Sequence, residues 1–207
     1  MEFTKENKRM AKEVISAGLA KAAESLSFFM NEKIELDTSD DRCLDCDPLD
    51  LDRKGESNIH LLITKVVGDI QGICCLIFSE EEADHLRNVA LPAEIKSNPE
   101  MMAEMSDGIL LEVDNIISAS VITHFSNTLK LKMHGDVPVL KKVDYKEMIE
   151  FIRTEISDKL YLVSFKTSFS SSNVKFNPEF LWLFEKNFVS GLTQYYNQIE
   201  QDSKDLL

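Results

Sequence analysis

Glu112 and Asn115 stand three residues apart in the stretch LLEVDNIISASVITHFS, which has helical periodicity. At about 100° per residue the two project side by side, one turn apart, and Ala119 continues the same strip. Ile109, Leu110, Val113, Ile117 and Val121 fall on the opposite, apolar side. A carboxylate beside an amide, with a small residue next to them, suits docking against another surface. An Asn side chain can donate to and accept from one water molecule at once. A Glu can pair with a cation on a partner. The plainer account is a solvated outer face, the norm for an amphipathic helix.

The elements that must position this pair follow from period and punctuation. The helix is read over 109–129, with Ser106-Asp107-Gly108 as a break from the turns started by Asn98 and Pro99. Residues 8–30 form an earlier helix, with Val14, Ile15, Leu19, Ala22 and Leu26 on one face. A short strand at 33–36 leads into the acidic surface loop 37–57. The β-branched runs 59–67 and 72–78 predict a hairpin, and Ser79 followed by three Glu predicts a helix start. Residues 130–134 are strand-like, and 159–168 with 173–176 suggest a second strand pair. Asn177-Pro178 then opens a C-terminal helix over 178–201, with Phe180, Phe184, Phe188, Leu192, Tyr195 and Ile199 on one face. That aromatic face either packs on its own sheet or serves a homodimer contact.

The order repeats: helix, short strand, long segment, hairpin, helix. The chain is therefore expected to be a single domain, 1–207, of two pseudo-repeats at about 8–91 and 98–176, with the C-terminal helix added. At an offset of 99, Glu13 aligns with Glu112, Ser27 with Ser126 and Lys33 with Lys132. The fold class is α+β: two α-β-x-β-β units forming a central antiparallel sheet, with long helices on one face.

Pro138 lies 23 residues after Asn115. The spacing Glu112-x2-Asn115-x22-Pro138 resembles the active-site signature of the CheC/CheX/FliY family of chemotaxis phosphatases. The helix LLEVDNIISASVITHFS, the hairpin with its helix VVGDIQGICCLIFSEEEADHL, and EVISAGLAKAAESLSFFM resemble that family too, over roughly 8–176. The chain is most like CheC with one intact motif. The family's Asp or Ser position falls on Gly108, with Ser106 and Asp107 out of register, and its Gly before Asn is Asp114, which adds negative charge near the site. The first repeat keeps Glu13 but has Ser16 and Ser39 where Asn and Pro would stand.

The resemblance implies hydrolysis of the aspartyl phosphate on a CheY-type response regulator in chemotaxis or two-component signalling. The chain needs no cofactor of its own, because the partner regulator holds Mg²⁺. Asn115 would orient the attacking water and Glu112 would pair with the partner's active-site Lys. Phosphoryl transfer is mostly positioning and electrostatics. Pro138 would shape a turn. A CheD-like protein is a second candidate partner. The rival from another class is a catalytically silent adaptor that binds a response regulator, and Gly108 and Asp114 favour it.

Composition narrows the rest. Lys and Arg number 23 against 36 Asp and Glu, a net charge of -13. That balance argues against neutralising nucleic-acid phosphates or docking on an anionic membrane. No apolar run approaches the ~20 residues of a spanning helix. The N-terminus lacks the apolar core of a secretion signal, so the expected location is cytoplasmic. Cys43 and Cys46 form a lone CxxC, and a zinc site would need two further ligands that no second CxxC or His pair supplies. Cys74 and Cys75 lie in a predicted strand, so at least one packs in the core. Lys130, Lys132, Lys141, Lys142 and Lys146 form a basic segment, either a solvated surface or a docking patch for an acidic receiver.

Overall fold

The computed structural model describes residues 5–37, 53–156, 160–166, 168–171, 175–185 and 187–204. In chain order the elements are α1 (Lys5–Met30), β1 (Glu35–Asp37), β2 (Ile59–Gly68), β3 (Gly72–Ser79), α2 (Glu80–Ala90) and α3 (Ala93–Lys96). Then come α4 (Pro99–Leu129), β4 (Met133–Gly135), β5 (Val139–Val143), α5 (Tyr145–Glu155) and β6 (Leu160–Lys166). The chain closes with β7 (Ser168–Ser170), β8 (Lys175–Phe176), β9 (Glu179–Glu185) and α6 (Asn187–Lys204).

The main sheet is antiparallel in the order β4-β2-β3-β9-β6, with β5 also paired to β2. β2 and β3 are the expected hairpin, in register Leu62 with Leu76. β1 pairs with β7, just after β6, while β4 pairs with the end of β2. β1 and β4 thus each lie beside a strand from the other half of the chain.

Side chains alternate across the sheet, as its period of two requires. Leu62, Val66, Cys74, Leu76, Phe78, Phe180, Trp182 and Phe184 face one way and pack under α1, α4 and α6. Ile59, Leu61, Ile63, Cys75, Ile77 and Leu181 face the other way and pack under Met148, Ile149 and Ile152 of α5. The sheet is therefore covered on both faces, where the sequence suggested helices on one. The second cover is α5, an element the sequence reading lacks, and its start is a full capping box: Asp144 takes the Glu147 N–H, and Glu147 takes the Asp144 N–H. Ser79 and Glu82 make the same box on α2.

The C-terminal assignment needs the largest correction. The helix expected over 178–201 is instead strand β9, at 179–185, followed by helix α6, at 187–204. A spacing of four puts residues on one face of a strand as well as of a helix, so Phe180 and Phe184 fit both periods. β9 is EFLWLFE, almost entirely buried. A central strand covered on both faces reads as a continuous apolar run and shows no alternation. β9, not 173–176, is the partner of β6, while Phe169 of β7 pairs with Phe176 of β8. Phe180, Phe184, Phe188 and Leu192 are fully buried, so these residues pack into the core. Phe184 stacks on Phe188 at 4.2 Å between centroids and Phe125 meets Phe188 edge-on at 5.2 Å, which ties β9, α6 and α4 together.

α1 and α4 lie directly against each other. A Cβ on Gly18 would sit 2.9 Å from the Val121 Cα, closer than real Cβ contacts come. Gly18→Ala forces the helices apart. It is expected to cost about 1–2 kcal/mol in urea unfolding, since overpacking outweighs the ~1 kcal/mol gain in helix propensity. By length and mean hydropathy α4 would pass for a membrane-spanning helix. Leu110, Val113, Ile117, Val121 and Phe125 are instead its buried side within this core.

Candidate functional site

α4 runs unbroken for 31 residues. Asn98 caps it, its side-chain oxygen taking the N–H groups of Glu100 and Met101, and Pro99 follows at the first turn. Ser106-Asp107-Gly108 does not end the helix, contrary to the break read from sequence. An interior Gly costs only ~1 kcal/mol against Ala, which the packing of the following four turns offsets.

The outer face carries what the spacing placed there. Gly108, Glu112, Asn115 and Ala119 are all exposed, while Leu110, Val113, Ile117 and Val121 are buried. Glu112 and Asn115 therefore stand as a carboxylate and an amide open to a partner, one turn apart. Pro138 is half-buried in the link between β4 and β5. Its fixed φ sets the entry to β5, whose first residue Val139 pairs with Ile63 of β2. α4 and β5 meet through Lys142, whose Nζ is 3.0 Å from Asp107 Oδ2. The helix bearing Glu112 and Asn115 and the strand that follows Pro138 are thus joined.

Nothing within 4 Å would meet a Cβ on Gly108. Gly108→Ser fits without strain and removes a flexible point. It is expected to raise stability by about 0.5 kcal/mol in thermal unfolding.

Asp114 does not add charge to this face. It points the other way and is fully buried. Thr64 of β2 donates to its Oδ2 at 2.6 Å, and its Oδ1 has no hydrogen-bond partner. Burial raises its pKa to about 7, against which the Thr64 bond works only partly. Thr64 lies opposite Cys74 across β2 and β3, and burial also pushes the thiols of Cys74 and Cys75 up, so both stay protonated.

The corresponding face of α1 is occupied. Tyr196 of α6 donates its hydroxyl to Glu13, and Arg9 pairs with Glu13 at 3.2 Å. Asn7 adds a bond to Thr193 at 3.2 Å, so α6 lies along this face of α1. No local period signals this contact, because it joins residues 183 apart in sequence. Between α1 and α4 a polar groove of about 660 Å³ is lined by Lys21, Ala119, Thr123, His124 and Asn127 among others. His124 is half-buried and contacts Thr128 at 3.4 Å, with its pKa held down by burial and by Lys21. It borders this groove rather than the core.

The basic segment is mostly solvent-facing: Lys130, Lys132, Lys141, Lys142 and Lys146 are exposed. Lys141 lies over the Phe151 ring at 4.6 Å and Lys142 is paired with Asp107. Cys43, Cys46 and Ser39 lie outside the described residues. Among the described residues no cluster of three or more His, Cys, Asp or Glu could hold a metal ion.

No family model and no curated protein matches this chain. Solved structures do. FliY of Thermotoga maritima is similar over 96% of this chain and 99% of its own, at 14% identity and a TM-score of 0.71. The FliM middle domain of H. pylori is similar over 92% of this chain and 98% of its own, at 11% identity and a TM-score of 0.56. CheX in a CheX–CheY–BeF3–Mg²⁺ complex from Borrelia burgdorferi is similar over 82% of this chain and 97% of its own, at 16% identity and a TM-score of 0.50. The chain has the α+β fold that the CheC/CheX/FliY chemotaxis proteins share with the FliM middle domain.

Proposed function

We propose that the protein is a phosphatase for the aspartyl phosphate of a CheY-type receiver, working from the outer face of α4. The observation that carries this reading is the presentation of Glu112 and Asn115 side by side on an exposed strip, with their neighbours Val113 and Asp114 turned inward. Asn115 holds a water in line with the phosphorus. The water oxygen forms a bond to phosphorus, the bond to the aspartyl oxygen breaks, and the carboxylate leaves. The aspartyl carboxylate is a good leaving group and the water's proton passes to the phosphate product, so positioning suffices and no general base is required. Glu112 pairs with the receiver's active-site Lys and seats the water against its target. In this reading the Mg²⁺ is the receiver's own; the CheX–CheY complex of Borrelia burgdorferi contains Mg²⁺ together with BeF3. Pro138 sets the entry to β5, the strand that Lys142 ties to α4.

A specific observation favours a second reading, a silent adaptor that docks on a receiver without turnover. Gly108 leaves bare the position where the resemblance asks for Asp or Ser, and the fold is shared with FliM. Turnover separates the two. Phosphate release from a phosphorylated receiver, measured with substoichiometric protein, rises for the phosphatase and stays at the receiver's own rate for the adaptor. Gly108→Ser is a further arm: raised turnover on addition of the hydroxyl supports the phosphatase, and binding without turnover in both forms supports the adaptor.

A further inference from the structure

We propose that Asp107 is a positioning residue: the Arg87–Asp107–Lys142 ion-paired joint holds the turn bearing Glu112 against the strand that follows Pro138. This rests on the α4 site described above. The first turns of α4 ride on the surface, with Glu100, Met101, Glu104 and Met105 exposed. The buried side of α4 starts at Leu110. Between the two lies Gly108, the helix's softest point, and Glu112 is one turn beyond it. Asp107 therefore stands where a loose segment meets a fixed one.

Its carboxylate is held from two sides. Arg87 Nη2 of α2 donates to Oδ1 at 3.2 Å, and Lys142 Nζ of β5 reaches Oδ2 at 3.0 Å. Arg87 also donates from Nε to the Ser106 carbonyl at 3.4 Å. The guanidinium is itself fixed: only 7% of its side chain is exposed, and it pairs with Asp84 at 2.9 Å and lies 3.4 Å from His60 Nδ1. His60 stands opposite Lys142 across β2 and β5, and Glu80 reaches its Nε2 at 3.1 Å. Arg87 is thus a buried, rigid post, and Asp107 bridges it to the strand that Pro138 starts. Asp107 and Lys142 are partly exposed, and a bridge between three elements fixes geometry even where such an ion pair adds little net stability. A displacement of ~1 Å in a positioned group can cost 10²-fold in rate, so a site of exposed side chains needs such a brace.

The test is a cycle of Asp107→Asn, Lys142→Met and the double variant, with Asp107→Glu as the conservative control. Two readouts are used: phosphate release from a phosphorylated receiver, and hydrogen exchange of backbone amides 104–112 against 113–129. The joint predicts about tenfold slower maximal release for each single variant and no further loss in the double. It also predicts recovery in Asp107→Glu, and faster exchange confined to 104–112. Additive losses, or unchanged rate with unchanged exchange, overturn it. If the wild-type protein itself does not accelerate release, the phosphatase reading fails and the exchange data alone judge the joint. Local loosening at 104–112 then supports it, and none overturns it.

Discussion

Asn115→Ala is expected to slow phosphate release by about 10²-fold while leaving stability within about 0.5 kcal/mol of the wild type. Asn115 is exposed, so its removal opens no cavity, and alanine is the better helix former. In the proposed mechanism the loss falls on the maximal rate, because the amide there acts on the attacking water and not on the docking contact. Glu112→Ala should behave differently. In the proposed mechanism its carboxylate pairs with the partner before and during the reaction, which is uniform binding and shows mainly as a higher KM. A steady-state titration of phosphorylated receiver separates the two: a lowered maximum for Asn115→Ala and a right-shifted curve for Glu112→Ala. A right-shifted curve with an unchanged maximum for both variants would mean that the pair is only a docking surface. No effect of either would remove α4 from the mechanism.

Asp114→Asn is expected to stabilise the protein at pH 8.5 and to change little at pH 5.5. Burial raises the Asp114 pKa from its ordinary 3.8 to about 7. The folded state therefore holds a proton that the unfolded chain releases. The native contribution is whole below about 3.8 and is lost as pH climbs through about 7. A shift of about three units corresponds to about 4 kcal/mol at alkaline pH. Asparagine cannot ionise, keeps an oxygen for the Thr64 hydroxyl, and leaves its NH2 facing the place where Oδ1 has no partner. An unsatisfied buried donor costs ~1–3 kcal/mol, so about 2 kcal/mol of net gain remains at pH 8.5. Urea unfolding at the two pH values checks this. Parallel pH dependence in wild type and variant would show that Asp114 stays ionised in the fold.

The outer strip of α4 was legible because a helix is a local object. The 3.6-residue period fixes which residues share a face once the helix exists, so Glu112, Asn115 and Ala119 were separable from Val113 and Ile117 by counting. The caps at Ser79 and Asn98 were legible for the same reason, since each is satisfied by N–H groups two or three residues on. Asp114 was misplaced because its polar type suggested solvent. Only the pairing of β2 and β3 puts Thr64 beneath it. α5 and β9 were missed at the level of the sheet. A strand buried on both faces loses its alternation, and the aromatic spacing of four fits either period.

By itself the sequence determined the helices with strong periods and caps, the β2–β3 hairpin, and the side-by-side placement of Glu112 and Asn115. These rest on contacts within a few residues along the chain. The tertiary structure decided which strand is central, which face of α1 is covered by α6, that Asp114 is buried, and that Asp107 ties α2, α4 and β5 together. Each joins groups far apart in sequence: 20 residues separate Arg87 from Asp107, 50 separate Thr64 from Asp114, and 183 separate Glu13 from Tyr196. No local period encodes such pairs, because their closeness is set by how the sheet orders its strands and how the helices cross over it.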